Sequence, residues 1–241
     1  MPDLKILTDV LEKMEIRLSD QQIHQFVMYY EMLIEKNKVM TLTAIKEWED
    51  VVIRHFADSL SLVKCTDLAR VNSVIDLGTG AGFPGIPLKI AFPHLQITLV
   101  DSLGKRVRFL EEVIQYLGFD QICALHARAE DLGRNPKHRE VYDLCVSRAV
   151  ANLSTLCEYC LPFVRVNGQF VSYKSGKAYQ ELEQSKKAVR LLGGRTVSNE
   201  DLCEFVLPGT DMERILIRIV KEKKTPAYYP RKAGMPGKEP L

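Results

Sequence analysis

Apolar residues recur at helical spacing through the first part of the chain. Leu4, Leu7, Leu11 and Met14 form one stripe; Ile23, Phe26, Val27, Tyr30, Leu33 and Ile34 form a second. That is the spacing of a helix buried along one face. Ser19 followed by Gln22 has the composition of a capping box, so the pattern predicts a helix over residues 20–36. Beyond the polar stretch NKVMTLTAIKE, residues Trp48, Val51, Val52, His55, Phe56 and Ser59 predict a third helix. Residues 1–70 thus form an N-terminal helical extension. From residue 71 the period changes to short β-branched runs, VNSVIDL, LQITLVD, QICALHA, YDLCVSR, GQFVSYK and ERILIRIV, separated by segments of helical periodicity. Such alternation predicts an α/β domain over residues 71–224, with a mostly parallel sheet and helices on both faces. Residues 225–241, TPAYYPRKAGMPGKEPL, contain four prolines and two glycines. They predict an extended tail without regular helix.

Composition narrows this picture. A chain of 241 residues, 46% hydrophobic, suits one large core with an appendage. No apolar run approaches the roughly 20 residues that span a bilayer, and MPDLKILTDVLEKMEI interleaves charges with its apolar positions. A cytoplasmic protein without a membrane partner is expected. Six cysteines lie mostly in apolar stretches; Cys157-x-x-Cys160, in LSTLCEYCLPFV, has no second Cys or His pair and reads as core thiols, with redox or zinc chemistry as the alternative. No metal-ligand cluster is visible. The net charge of +2 is too small to announce a nucleic-acid partner, but residues 221–241 hold six Lys/Arg against two Asp/Glu. The tail is the basic segment.

The chemistry concentrates in DLGTGAGFPGIP, residues 76–87. Gly80, Gly82 and Gly85 satisfy the formal G-x-G-x-x-G pattern of a dinucleotide site, which would make the protein a nicotinamide oxidoreductase. A dinucleotide motif should begin at the strand end, however, and here it begins four residues after Asp76. The better reading is Asp76-x-Gly78-x-Gly80-x-Gly82. A carboxylate there repels a pyrophosphate and attracts an α-ammonium, which favours S-adenosylmethionine, a nucleoside ligand without phosphate. The alternative is that Asp76 caps the following helix over a plain tight turn. Asp101, at the end of LQITLVD, can accept both ribose hydroxyls of either ligand. After the third strand, Arg128-Ala129-Glu130-Asp131 forms a polar turn at the same sheet edge, where the Glu130 region could contact the adenine.

The assembled motifs resemble the bacterial RsmG (GidB) family, which methylates a guanine at N7 in small-subunit 16S ribosomal RNA. The resemblance rests on NKVMTLTAI (37–45), RHFADSL (54–60), DLGTGAGFPGIPLKI (76–90), VDSLGKRVRFL (100–110), HARAEDL (126–132), SRAVANL (147–153) and YPRKAGMPGKEPL (229–241). One departure is Thr41, where the family pattern has Asn before Leu-Thr. The resemblance implies a Rossmann-like class I methyltransferase sheet with S-adenosylmethionine contacted around Gly78, Phe83, Ala129, Glu130 and Arg148, and S-adenosylhomocysteine as product. It implies as partner 16S rRNA, in the small ribosomal subunit or its assembly intermediate; no obligate protein partner is evident.

The residues agree with that chemistry. The fourth strand ends in Ser147-Arg148-Ala149-Val150 without the N/D-P-P-Y/F arrangement of enzymes acting on exocyclic amines, and no Pro-Cys pair offers a C5 nucleophile. A ring nitrogen with a free lone pair needs alignment and no base. Arg148 could orient the guanine through O6 or contact the cofactor, with a plain ion pair as the alternative. Lys105, Arg106 and Lys174 are candidate RNA contacts. So are Arg231 and Lys232, flanked by Tyr228 and Tyr229. His55 reads as a packed histidine joining the extension to the core, or as a substrate-positioning group. A competing class is an RNA-binding assembly factor that keeps a cofactor pocket without turnover.

Overall fold

The computed structural model describes residues 2–148, 150–176 and 178–241; Met1, Ala149 and Lys177 lie outside the described residues. Five runs form parallel strands: β1 (Ser73–Leu77), β2 (Gln96–Asp101), β3 (Ile122–His126), β4 (Tyr142–Arg148) and β5 (Val164–Lys174). With β6 (Leu202–Val206) and β7 (Glu213–Val220) they make a seven-stranded sheet of order β3-β2-β1-β4-β5-β7-β6. β7 runs antiparallel to both neighbours. Chain order reverses between β1 and β4, which opens a crevice at the carboxyl ends of these strands. β6 is the strand that periodicity did not announce. It is a half-exposed edge strand in which Glu204 interrupts the apolar run.

The helical extension begins with α1 (Leu4–Glu12) and α2 (Asp20–Asn37), and both hydrogen bonds of the Ser19/Gln22 capping box are present. The third expected helix is α3 (Trp48–Val51), a π-helical turn over Val52–Ala57, and α4 (Asp58–Leu60). Then follow α5 (Gly85–Ala91), α6 (Gly104–Tyr116), α7 (Ala129–Leu132), α8 (Leu153–Cys160), α9 (Ala178–Leu191) and α10 (Met235–Lys238).

The extension shares the core of the sheet. Phe26, Tyr29, Leu33 and Phe56 pack with Val74, Leu99, Val146 and Val171 on one face. Leu156, Cys157, Leu182 and Val189 pack with Ile75, Cys145, Phe170 and Ile217 on the other. Tyr29 Oη also donates to Ala81 O at 2.7 Å, so α2 holds the glycine turn directly. Cys157 and Cys160 are fully buried, which pushes both thiols well above the ordinary range, whereas Cys123 is exposed. No helix among the described residues is long and apolar enough to cross a membrane.

The expectation of a tail without helix is corrected by α10. Pro236 stands in its first turn, where the missing N–H has no intrahelical partner to lose. The tail packs on α8, with Thr155 Oγ1 donating to Pro236 O at 3.0 Å.

Candidate active site

The turn after β1 is built by its glycines and by two acids. Gly78, Gly80 and Gly82 all have positive φ, which an L side chain adopts only with strain. Asp76, at the end of β1, is completely buried beneath the turn. Its Oδ2 accepts from Thr79 Oγ1 at 2.7 Å and from the Gly85 amide at 2.9 Å, while Oδ1 has no partner. Burial pushes its carboxyl up to about 6, against the hydrogen bonds from Thr79 and Gly85. Asp76 therefore joins the turn to the start of α5 and does not line the adjoining cavity. Asp101, at the end of β2, holds the same turn from the other side: Oδ2 accepts from Gly80 N at 3.0 Å and Oδ1 from Leu103 N at 2.8 Å. Asp101 does reach the cavity.

That cavity, of about 290 Å³, lies at the carboxyl ends of β1, β2 and β4. Leu77, Val100, Ala127 and Leu156 form apolar walls; Asp101 and Glu130 bring two carboxylates, and Gly78 and Ala129 complete the lining. Gly78 leaves no room for a side chain, because a Cβ there would come within 2.5 Å of Val150 Cγ2. Glu130 is buried in α7, and its Oε1 accepts from Gly234 N at 2.8 Å. Gly234, more than a hundred residues away in sequence, lines the cavity too.

A second concavity, of about 410 Å³, opens on the opposite face of the sheet. Adjacent strand residues point to opposite faces, so at the end of β4 Ser147 lines the first cavity and Arg148 the second. Arg148 Nη1 donates to Asp58 Oδ2 at 2.8 Å, and its guanidinium carbon stands 5.1 Å from the centroid of the Phe83 ring. Arg214 Nε donates to the other Asp58 oxygen at 2.9 Å. One buried carboxylate thus fixes two arginines.

The π-helical turn brings His55 to the same place as Asp58. The imidazole stacks on Phe83 with ring centroids 4.4 Å apart, and Arg148 Nη2 approaches Nδ1 at 3.4 Å. Burial, then the Arg148 charge, lowers the His55 pKa to about 3. The ring is neutral, and with Nδ1 facing a donor, Nε2–H donates to Thr43 Oγ1 at 2.8 Å. His55 accordingly joins the extension to the sheet.

The expected residues separate into two groups. Gly78, Asp101, Ala129 and Glu130 line the first cavity, and Gly80 supports it through Asp101. Arg148 and Lys174 line the second, with Phe83 stacked beside it. Lys174 Nζ donates to Ala151 O and to Glu181 Oε2 at 2.7 Å, so its charge is already paired. Lys105 is exposed on the first turn of α6, and Arg106 beside it reaches back to Asp101 at 3.4 Å. Lys232 is exposed. Arg231 turns inward to Glu158, with Nη2 to Oε2 at 2.7 Å. Sequence reasoning passed over Arg214, which no local motif marks, and Gly234, which lies in the YPRKAGMPGKEPL stretch but was given no role. Asp58 appeared only within the RHFADSL stretch, three residues after His55.

A family profile described as GidB, rRNA small subunit methyltransferase G, matches residues 22–204. A protein named ribosomal RNA small subunit methyltransferase G from Lachnoclostridium phytofermentans is 49% identical over 100% of this chain and 98% of its own length. One of the same name from Alkaliphilus metalliredigens is 46% identical over 100% of both chains. Among solved structures, TYW2 from P. horikoshii in complex with MeSAdo superposes with a TM-score of 0.54 at 15% identity, over 70% of this chain and 63% of that one. That last likeness concerns the fold.

Proposed function

The chain belongs to the rRNA small subunit methyltransferase G family, and from that membership we propose that it transfers the methyl group of S-adenosylmethionine to N7 of a guanine in 16S rRNA. The observation that carries the site assignment is the pair of concavities flanking the end of β4, one lined by carboxylates and apolar walls beside Ser147, the other by arginines beside Arg148. Methyl transfer needs donor and acceptor within about 3 Å in line. Ser147 of the first lining and Arg148 of the second are neighbours at the end of β4, and in this reading the donor's methyl group meets the guanine beside them.

The first cavity suits the donor by the chemistry of its lining. Asp101 and Glu130 would repel a pyrophosphate, while Asp101 retains lone pairs for ribose hydroxyls beside its bonds to Gly80 and Leu103. Leu77, Val100 and Leu156 suit an adenine ring. When bound, S-adenosylmethionine supplies an electrophilic methyl group. The chain's own contribution is to hold that group still and exclude water.

On the acceptor side, Arg148 presents donors of the kind that pair with guanine O6. It is held against Phe83 by Asp58 and His55, so its orientation is fixed before RNA arrives. The N7 lone pair attacks without prior deprotonation, consistent with a neutral, fully engaged His55. Lys105 and Lys232 would meet phosphates outside the pockets. A cytoplasmic site of action and a small-subunit particle as substrate accord with this reading.

Two experiments test it. Calorimetry should give saturable heat with S-adenosylmethionine and none with NAD; the reverse would return the glycine turn to dinucleotide chemistry. Single-turnover assays with small-subunit particles should transfer label. Particle binding without turnover would identify an assembly factor instead.

A further inference from the structure

We infer that the C-terminal segment, residues 228–241, forms a wall of the donor cavity and sets affinity for the nucleoside donor, with Arg231 as the positioning residue that holds it there. This rests on the donor reading above. Taken alone, the sequence of the tail suggests RNA contact, but the structure turns its most constrained groups inward. Gly234 N donates to Glu130 Oε1 at 2.8 Å, and both residues line the cavity. Among the described residues no hydrogen bond reaches Glu130 Oε2. The amide therefore holds one carboxylate oxygen and leaves the other for a ligand.

Three sets of bonds keep Gly234 in that place. Arg231 N and Nε donate to Glu158 Oε1 at 2.7 and 3.0 Å, and Nη2 donates to Oε2 at 2.7 Å. Glu158 is fully buried in α8, and α8 also contributes Leu156, Tyr159 and Cys160 to the cavity. Upstream, Arg139 donates to the carbonyls of Tyr229 and Thr225 at 2.8 Å, and Arg134 Nε donates to Pro230 O at 2.9 Å. Downstream, Arg231 Nη2 reaches Glu239 O and Thr155 Oγ1 reaches Pro236 O. A segment secured only for RNA would keep its guanidinium outward. Here the outward groups are Tyr228, Lys232 and Lys238, so one strip of chain has a cofactor face and a solvent face. Breaking a buried charged pair frees the strip and leaves Glu158 uncompensated.

The test compares the full chain with one ending at Lys232, which keeps the Arg231–Glu158 pair and removes Gly234 and α10, and with Arg231→Met and Arg231→Lys. The shortened chain should show KM for S-adenosylmethionine at least tenfold higher, with kcat at saturating donor and KM for the RNA particle within about twofold. Arg231→Met should raise donor KM in the same direction, and Arg231→Lys should recover part of it. A donor KM within twofold in the shortened, folded chain overturns the inference, as does a rise confined to the RNA KM. Hydrogen exchange on the full chain keeps the question answerable if the variants do not fold. S-adenosylhomocysteine should slow amide exchange across residues 231–238, and unchanged exchange in the saturated protein overturns the wall. Failure of the full chain to bind S-adenosylhomocysteine at all would instead remove the donor reading itself.

Discussion

At the scale of single residues, the site is defined by groups whose charge is already committed. Asp101 is the acid that both supports the glycine turn and faces the cavity. Asp101→Ala should weaken S-adenosylmethionine binding by about 1.5–3 kcal/mol, the range for hydrogen bonds to a charged group; unchanged calorimetric affinity in a folded variant would remove its ribose role. His55 and Asp76 act on stability in opposite senses. The His55 pKa is depressed to about 3, so its contribution is fully present above the unfolded pKa near 6.5 and is lost as pH falls toward 3. The Asp76 pKa is raised to about 6, so its contribution is present below the unfolded value near 3.8 and is lost as pH rises through 6. Between pH 4 and 6 the two slopes offset. Asp76→Asn should therefore unmask a steeper loss of stability on acidification than the parent shows in urea titrations at pH 4, 5 and 6; parallel curves would contradict the assignment. For catalysis, a ring-nitrogen nucleophile beside a neutral His55 leaves kcat flat from about pH 6 to 9. A bell-shaped kcat profile with a limb near 6.5 would point to a general base.

Elements place these residues, and they were unequally legible. The six apolar runs became β1–β5 and β7; β1, β2, β4, β5 and β7 lie inside the sheet, where buried strands announce themselves by continuous apolar segments, and β3, at one edge, kept a readable apolar run. Edge strand β6 has one wet face and no such run. The capping box fixed the start of α2 in the sequence as it does in the structure. Two things were not local and so could not be read locally. Helical spacing puts His55 and Asp58 on nearly the same face, but their convergence on Arg148, about ninety residues further along the chain, is made only by the fold. The tail's inward face depends on Glu158 and Glu130, which only folding brings near. Composition showed its charge and prolines but not their direction. Gly82 is the most exacting position in the turn, with φ near +111° and a would-be Cβ 2.6 Å from Ile86 Cγ1 and 2.8 Å from Tyr29 Oη. Gly82→Ala should cost about 2–4 kcal/mol, read as a Tm roughly 5–15 °C lower. A Tm within 1 °C of the parent would mean that α2 does not clamp the turn as the Tyr29–Ala81 bond indicates.

For the whole molecule, a net charge of +2 leaves little long-range attraction for RNA. Attraction of the phosphate backbone must come from locally exposed cations, because the charges of Arg148, Arg231 and Lys174 are paired within the protein. Lys105→Gln and Lys232→Gln should each lower the salt slope of RNA binding by about 0.7–0.9 while leaving donor affinity alone; unchanged slopes would move the RNA path elsewhere. Together, the sheet's switch point, the helical extension clamped on its glycine turn and the tail packed beside α7 and α8 place the proposed donor cavity and an arginine-lined cleft on either side of the end of β4. The most direct test is transfer of isotopically labelled methyl from S-adenosylmethionine to small ribosomal subunits from cells lacking this protein, with the modified base mapped by mass spectrometry. Label confined to N7 of one 16S rRNA guanine, and lost with Arg148→Ala, is the expected result. Label on an exocyclic amine or a ribose, or no transfer by a chain that binds the donor, would contradict it.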